Sequence, residues 1–400
     1  MRATPAVPSL IRELNERNVL DTLRAHGALH AAEIARHIGL SKPTTADILR
    51  SLIETGLIQE YTPGEDDPKR ARSVYEAVSD LKVSLAIDIG SRFIRAAVGD
   101  LSEKMLAETS VAVKSLSLKD LVTVMHSAVN QVLKESGHSL KDVASLVVGT
   151  PGVVDQNTGV VSIAGTIAAL DGVNLAELLK KEFGIAPSVE NDINLVTVAE
   201  QAAGHGRGIE NFAVLSVGSG LGSGLVLNGK IHRGHRGAAG EIFYVPFGDP
   251  LDTHRDATNP SGDRIAELTR GLAKKFKGSV LQEPYSTVEI LKAAKDGDEL
   301  AKAVVHLEAE RIALYVAAIS AVTDVELIVL SGGIGRQASF FLDPIKKLVG
   351  AIVPFPPRIE VSTLGDTGIL VGALNIATAH SCEVVFNDKH KSSRPLAGSM

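Results

Sequence analysis

Residues 213–247 read AVLSVGSGLGSGLVLNGKIHRGHRGAAGEIFYVPF. The apolar run Ala213 to Val217 enters Gly218-Ser219-Gly220-Leu221-Gly222-Ser223-Gly224, and a second apolar run, Leu225 to Leu227, ends at Asn228-Gly229. This pattern predicts two antiparallel strands around a glycine-rich turn, because glycine lets the backbone bend tightly and turn its N–H groups toward an anion. Gly218, Ser219, Gly220 and Gly222 form that candidate loop, although such hairpins also serve as plain turns. In the second half, Gly234-His235-Arg236-Gly237-Ala238-Ala239-Gly240-Glu241, small residues deliver one carboxylate at the end of a tightly packed stretch.

The chain around this centre has 400 residues, 44% apolar and 22% charged, enough for two or three domains with sizeable cores. A formal net charge of −6 gives no global basic footprint, so any nucleic-acid contact must come from a local patch. A single cysteine, Cys382, rules out an internal disulfide framework and any multi-cysteine zinc site. No stretch has the uninterrupted apolar length of a signal core or a membrane span, and a cytoplasmic protein with no membrane partner is expected.

Residues 9–26 carry apolar side chains at helical spacing up to His26-Gly27, and His30 to Ile38 forms a second short amphipathic segment. Gly39-Leu40 breaks it, and Ser41 reads as the N-cap of a helix from Lys42 to Thr55 with Pro43 in its first turn. Two short helices joined by a glycine-containing turn predict a helix-turn-helix. Leu57 to Tyr61 and Ser73 to Val78 then make a strand pair whose connection carries Lys69, Arg70 and Arg72, the pattern of a wing. In a DNA-binding reading Ser41, Lys42, Thr44, Thr45 and Arg50 face the major groove and the three wing cations add charge, partly cancelled by Glu65, Asp66 and Asp67. A helical protein-binding adaptor is the alternative.

From Leu81 the pattern becomes α/β. Ser84 to Gly90, Phe93 to Val98 and Leu106 to Val113 read as meander strands, Thr123 to Lys134 as a helix, and Leu146 to Val148 as a strand running into Gly149-Thr150-Pro151-Gly152. Leu175 to Phe183 is helical, and Pro187 to Asn194 is a strand passing into the start of the helix Leu195 to Gly204. Beyond the centre, Ser261 to Phe276, Thr287 to Lys295 and Glu299 to Val322 read as helices. Leu327 to Leu330 is a strand that runs into Ser331-Gly332-Gly333-Ile334-Gly335, followed by a helix to Val349. A strand, Arg358 to Ser362, and a last helix, Gly365 to Ala379, complete the body. Residues 381–400 are expected to form a flexible tail.

The run SVGSGLGSGLVLNGKIHRGHRGAAGE resembles the signature of the ROK family of repressors, open reading frames and kinases, and the likeness extends over most of residues 83–380. Leu40-Ser41, Pro43-Thr44, Leu52 and Gly56-Leu57 likewise resemble the winged helix of ROK repressors. The resemblance implies a winged helix-turn-helix domain, 1–80, followed by a two-lobed actin-like ATPase fold, 81–380, with a hinge near 195–212 and the last helix. It places Asp192 at the position of a sugar kinase's catalytic base, where a helix cap is the competing role. Asn191 and Glu241 stand as sugar ligands, and Gly152 and Tyr244 complete the expected effector pocket. ROK kinases carry Asp-x-Gly-Gly-Thr-Lys; here the run is Asp88-Ile89-Gly90-Ser91-Arg92-Phe93. Side chains at Ser91 and Arg92 stand where backbone should approach phosphate, so ATP binding is expected to be lost, the alternative being Arg92 as an added cation. Zinc-containing members have Glu-x-Gly-His and a cysteine cluster; Glu241-Ile242-Phe243-Tyr244 and the cysteine-free residues 249–260 predict no metal. His232, His235 and His254 read as solvated, and Tyr244 either donates to a ligand or packs.

These readings converge on a regulator, a repressor, binding operator DNA as a homodimer or higher homo-oligomer and sensing a sugar or sugar phosphate, with no cofactor and no catalytic residue at work. A bifunctional sugar kinase with a regulatory head is the alternative.

Overall fold

Small helices and a short sheet form the amino-terminal head of the computed structural model, which describes residues 8–61, 73–218, 220–247, 258–337 and 341–393. Helix α1 spans Pro8–His26 and strand β1 Leu29–His30. Helix α2, Ala31–Ile38, ends at Gly39, whose left-handed φ of 68° favours glycine, and α3 is Lys42–Glu54. Strands β2, Ile58–Tyr61, and β3, Val74–Ala77, pair antiparallel, with β1 on the far side of β3. Val19, Leu20 and Leu23 of α1 close over Ile34, Ile48, Leu49 and Leu52 to make the head's core. The wing cations Lys69, Arg70 and Arg72 lie outside the described residues.

The next lobe begins with a meander, β4 (Val83–Ile89), β5 (Phe93–Gly99) and β6 (Met105–Ala112). Helix α4, Leu118–Ser136, starts earlier than the apolar pattern suggests because Ser117 caps it, its hydroxyl accepting the Asp120 N–H. Strand β7 (Val143–Thr150), the small hairpin β8 (Val153–Val154) and β9 (Val161–Ser162), α5 (Leu175–Phe183) and β10 (Pro187–Asn191) follow. The sheet runs β10-β7-β4-β5-β6, with β4, β7 and β10 parallel.

After α6 (Asp192–Ala203) the same plan recurs: a meander of β11 (Phe212–Val217), β12 (Leu221–Leu227) and β13 (Lys230–Ile231), then helices α7 (Gly262–Ala273), α8 (Thr287–Lys295) and α9 (Glu299–Thr323). Strand β14 (Leu327–Ser331), the single turn α10 (Gly332–Gly335), α11 (Leu342–Ile352) and β15 (Arg358–Val361) complete a sheet of order β13-β12-β11-β14-β15. In both sheets three antiparallel strands are extended by two parallel ones on the side of the first strand, which is a duplicated architecture.

Helices α6 and α12 (Gly368–Ser393) cross between the sheets. A Cβ at Gly372 of α12 would lie 1.9 Å from the Leu195 carbonyl oxygen, and one at Gly224 of β12 would lie 2.1 Å from the Thr197 hydroxyl, so glycine sets both approaches of α6. Gly222 and Gly224 therefore belong to a strand packed on α6.

The expected flexible tail from residue 381 is corrected: α12 continues to Ser393. Ala373, Leu374 and Ala377 pack on the first lobe, whereas Cys382, Val385 and Phe386 are buried in the head's core. By length and composition this helix could cross a membrane, but the apolar side chains just named are taken up by these two cores. Its polar, charge-bearing end reads as a tail only until the apolar spacing of Cys382, Val385 and Phe386 finds its partner in α1.

Candidate functional site

The candidate effector residues Asn191 and Asp192 stand where β10 passes into α6. Asn191 is the N-cap: its Oδ1 accepts the N–H groups of Ile193 at 3.0 Å and Asn194 at 3.3 Å, and its Nδ2 donates to the Gly152 carbonyl at 2.8 Å. Asp192 is the first residue of the helix and accepts the Ile193 N–H at 2.8 Å. Gly152 has φ +94°, and a Cβ there would lie 2.7 Å from the Ser162 carbonyl, so the β8–β9 hairpin closes against it only with glycine.

Asp192 keeps a water-facing edge, yet protein surrounds it. Burial, reinforced by the negative charges of Asp88 and Glu241, pushes its carboxyl up to about 7. Glu241 is itself raised by burial. Asp88, buried at the end of β4, is raised by burial against the opposing pull of Arg95, whose Nη1 stands 3.1 Å away. Asp88 and Glu241, from two separate elements, thus both act on the Asp192 carboxyl.

Glu241 is positioned by packing that sequence spacing foreshadows. A Cβ at Gly240 would fall 2.0 Å from the Ser223 carbonyl oxygen, and the Gly240 carbonyl accepts both the Ser223 N–H and hydroxyl. Gly237 comes equally close to the Val154 carbonyl of the first lobe. Tyr244, in the short turn after Glu241, is 47% exposed and lies edge-on to Phe243.

Two residues that the motif reading passed over tie the lobes together. Glu190, buried in β10, accepts the Asn191 N–H at 3.0 Å and Asn194 Nδ2 at 2.9 Å on one oxygen, and Arg233 Nε at 2.5 Å on the other. Arg233 follows β13 in the second lobe, so this ion pair holds the cleft residues against the opposite lobe. A charged residue in an otherwise buried strand was the available signal.

At the first phosphate turn the Gly90 N–H is spent on the Phe93 carbonyl at 3.0 Å, Arg92 is exposed and Phe93 is 41% exposed. The second glycine turn lies beside α10: a Cβ at Gly218 would be 3.4 Å from the Gly333 nitrogen, and Gly218 accepts the Gly262 N–H at 2.8 Å. Ser219 is outside the described residues, as is His254. Among the described residues no group of three His, Cys, Asp or Glu side chains could hold a metal ion.

In the head, Ser41 caps α3 by accepting the Thr44 N–H at 3.3 Å, and Lys42, Thr44 and Arg50 are exposed. Thr45 is corrected: it is 1% exposed, and its hydroxyl donates to the Ser41 carbonyl at 3.0 Å, so it holds the helix start and cannot face DNA. Ala46 of α3 and Arg36 of α2 are also exposed on the same two-helix unit, although neither is a polar residue of α3. Arg50 shares its charge with Asp47 at 3.2 Å.

The ROK family profile matches residues 84–380. The chain belongs to the ROK family. An IclR helix-turn-helix domain profile matches residues 18–60 of the head. Among ROK relatives, the xylose repressor of Caldicellulosiruptor bescii is 22% identical over 386 residues, covering 92% of this chain and 96% of the relative. A ROK family transcriptional regulator described as a homologue of the E. coli MLC protein superposes with a TM-score of 0.78 at 20% identity, covering 95% of this chain and 98% of that one. The ROK glucokinase of Streptomyces griseus, solved with glucose and AMPPNP, gives a TM-score of 0.62 at 24% identity but covers only 74% of this chain and 99% of its own. Likeness thus extends through the head for the regulator and stops at the body for the kinase.

Proposed function

We propose that this chain is a ROK transcriptional repressor that binds operator DNA through its head and a sugar or sugar phosphate in its cleft. One observation carries the reading. A recognition helix with an exposed polar start is joined to a body that keeps Asn191, Asp192 and Glu241 while its first phosphate turn is Gly90-Ser91-Arg92-Phe93. Lys42, Thr44 and Arg50 meet phosphates or base edges in the major groove, Ser41 fixes the helix start, Arg36 reaches the flanking backbone, and Lys69, Arg70 and Arg72 serve the wing. Asn191 and Glu241 take effector hydroxyls, Asp192 donates or accepts according to its proton, Gly152 leaves backbone room, and Tyr244 covers the entrance. Two heads spaced about 34 Å apart on a palindromic site call for a homodimer in the cytoplasm. The likeness to a xylose repressor and to a glucose-bound kinase supports a carbohydrate effector.

A bifunctional kinase is the second reading, favoured by Asp192, since an acid near 7 is poised as a general base. The engaged Gly90 N–H and the side chains of Arg92 and Phe93 speak against ATP. A gel shift on the chain's own upstream DNA, titrated with a panel of pentoses, hexoses and their phosphates, tests the repressor: a shifted band released by one of them is expected. A coupled ATPase assay with the same panel tests the kinase, and sugar-dependent turnover without duplex binding would overturn the proposal.

A further inference from the structure

Around the first phosphate turn the two lobes approach each other through arginines. A row of register partners, Gly149, Asp88 and Arg95, crosses β7, β4 and β5, and a Cβ at Gly149 would lie 2.9 Å from Ile369 in the first turn of α12. Arg95 thus stands in the row over which α12 begins, its Nη1 3.1 Å from Asp88 and its Cζ 5.8 Å from the Phe93 ring centroid. From the second lobe Arg336, which follows α10, comes to the same start of α12. It forms an ion pair with Asp366, in the turn before that helix, and donates through Nε to the Gly332 carbonyl at 3.3 Å. The hydrogen bond and charge of Arg336, then the charges of Arg95 and Arg92, hold the Asp366 carboxyl below the usual carboxylate range.

Three guanidinium groups on two lobes therefore meet two carboxylates, in a chain whose net charge is −6. The two acids are not equivalent. Asp88 is buried against Arg95, whereas the Asp366 side chain is 72% exposed, and an exposed ion pair contributes little. Arg92 is exposed and has no ion pair among the described residues. The Gly90 N–H is engaged by Phe93, so an anion here is met by side chains rather than by a backbone cradle. A phosphate, with nearly two charges and three acceptor oxygens, outcompetes a single exposed carboxylate for such guanidinium forks.

We propose that the first phosphate turn is rebuilt as a site for a phosphate dianion, held by Arg92, Arg95 and Arg336. The anion replaces the Asp366 carboxylate on Arg336 and links that arginine of the second lobe to the two of the first. Its source is the effector's own phosphoryl group or free phosphate. The site rests on the repressor reading only in taking this turn as unused by ATP.

The test is titration calorimetry of the full chain without DNA, at fixed ionic strength. The ligands are inorganic phosphate, a panel of pentose and hexose monophosphates, and the matching unphosphorylated sugars. At least one phosphate compound is expected to bind, and to bind about tenfold more weakly in Arg92→Gln and in Arg336→Gln. Asp366→Asn, which removes the competing carboxylate, should bind it more tightly, a gain that a merely structural role of these residues would not produce. Inorganic phosphate binding as tightly as any sugar phosphate identifies a free anion. A sugar phosphate binding more tightly than both inorganic phosphate and its parent sugar identifies the effector's phosphoryl group. Should Arg336→Gln fail to fold by circular dichroism, Arg92→Gln, at an exposed position, and Asp366→Asn decide. No binding of any phosphate compound at millimolar concentration, unchanged affinity in the folded arginine variants, or no gain in Asp366→Asn would each overturn the proposal. Phosphate binding of this kind in a chain that binds no operator would overturn the repressor reading and leave the site standing. Operator release by a neutral sugar, with no phosphate binding, would do the reverse.

Discussion

At Asp192 one carboxyl stands in the first turn of α6, and its charge is opposed by burial, Asp88 and Glu241. Unfolded, the group titrates near its ordinary value of 3.8; folded, it holds its proton up to about 7. The folded chain therefore binds the extra proton between those values. The stability this lends is complete below 3.8 and is lost as pH rises through about 7. Asp192→Asn keeps the shape without the charge. Its melting midpoint should exceed that of the parent at pH 8, and the difference should shrink steadily as pH falls toward 4. A midpoint difference independent of pH would show that the carboxyl is not strained in the fold. The same substitution should weaken the effector that requires Asp192 to accept, which calorimetry at pH 8 would read directly.

Elements carry the next level of the design. In α3 the exposed start runs directly into the buried face, Thr44 being exposed and Thr45 buried, so Lys42 and Thr45 have opposite fates. Lys42→Ala should weaken operator binding on all sequences alike and reduce the slope of log affinity against log salt by about 1, measured by fluorescence anisotropy across a salt series. Helix α12 has a different role, because Phe386 fills the head's core from the body's last helix. Phe386→Ala should cost about 3–5 kcal/mol locally. Hydrogen exchange should quicken in α1 and α3 and stay slow in β4 and β7. Here the limits of sequence reading are physical. Regular spacing revealed α1, α3, the meanders and the glycine turn, because those patterns follow from local backbone geometry. The end of α12 depends on packing between segments more than 300 residues apart, as with Leu20 and Phe386, which no local period encodes. Asn191, Asp192 and Glu241 were legible through a motif, whereas Glu190 and Arg233 act as a pair across the lobes and neither is notable alone.

For the whole molecule the question is how a filled cleft reaches the head, and α6, α12 and the Glu190–Arg233 pair are the physical connections. The ion pair spans the lobes directly behind Asn191 and Asn194, with Glu190 5% exposed, so it has two costs: breaking it strands a buried charge, while replacing both partners does not. Arg233→Met alone should destabilise the chain by about 3–5 kcal/mol in urea unfolding. Glu190→Gln combined with Arg233→Met should cost clearly less than the sum of the single changes, a coupling that a double-mutant cycle isolates. The double variant also separates stability from signalling. If the pair transmits cleft closure, operator binding without effector should be retained, while the effector concentration needed for release rises. Anisotropy titrations of the labelled operator would show this, and an unchanged release curve in a folded double variant would assign transmission to the crossing of α6 and α12 instead.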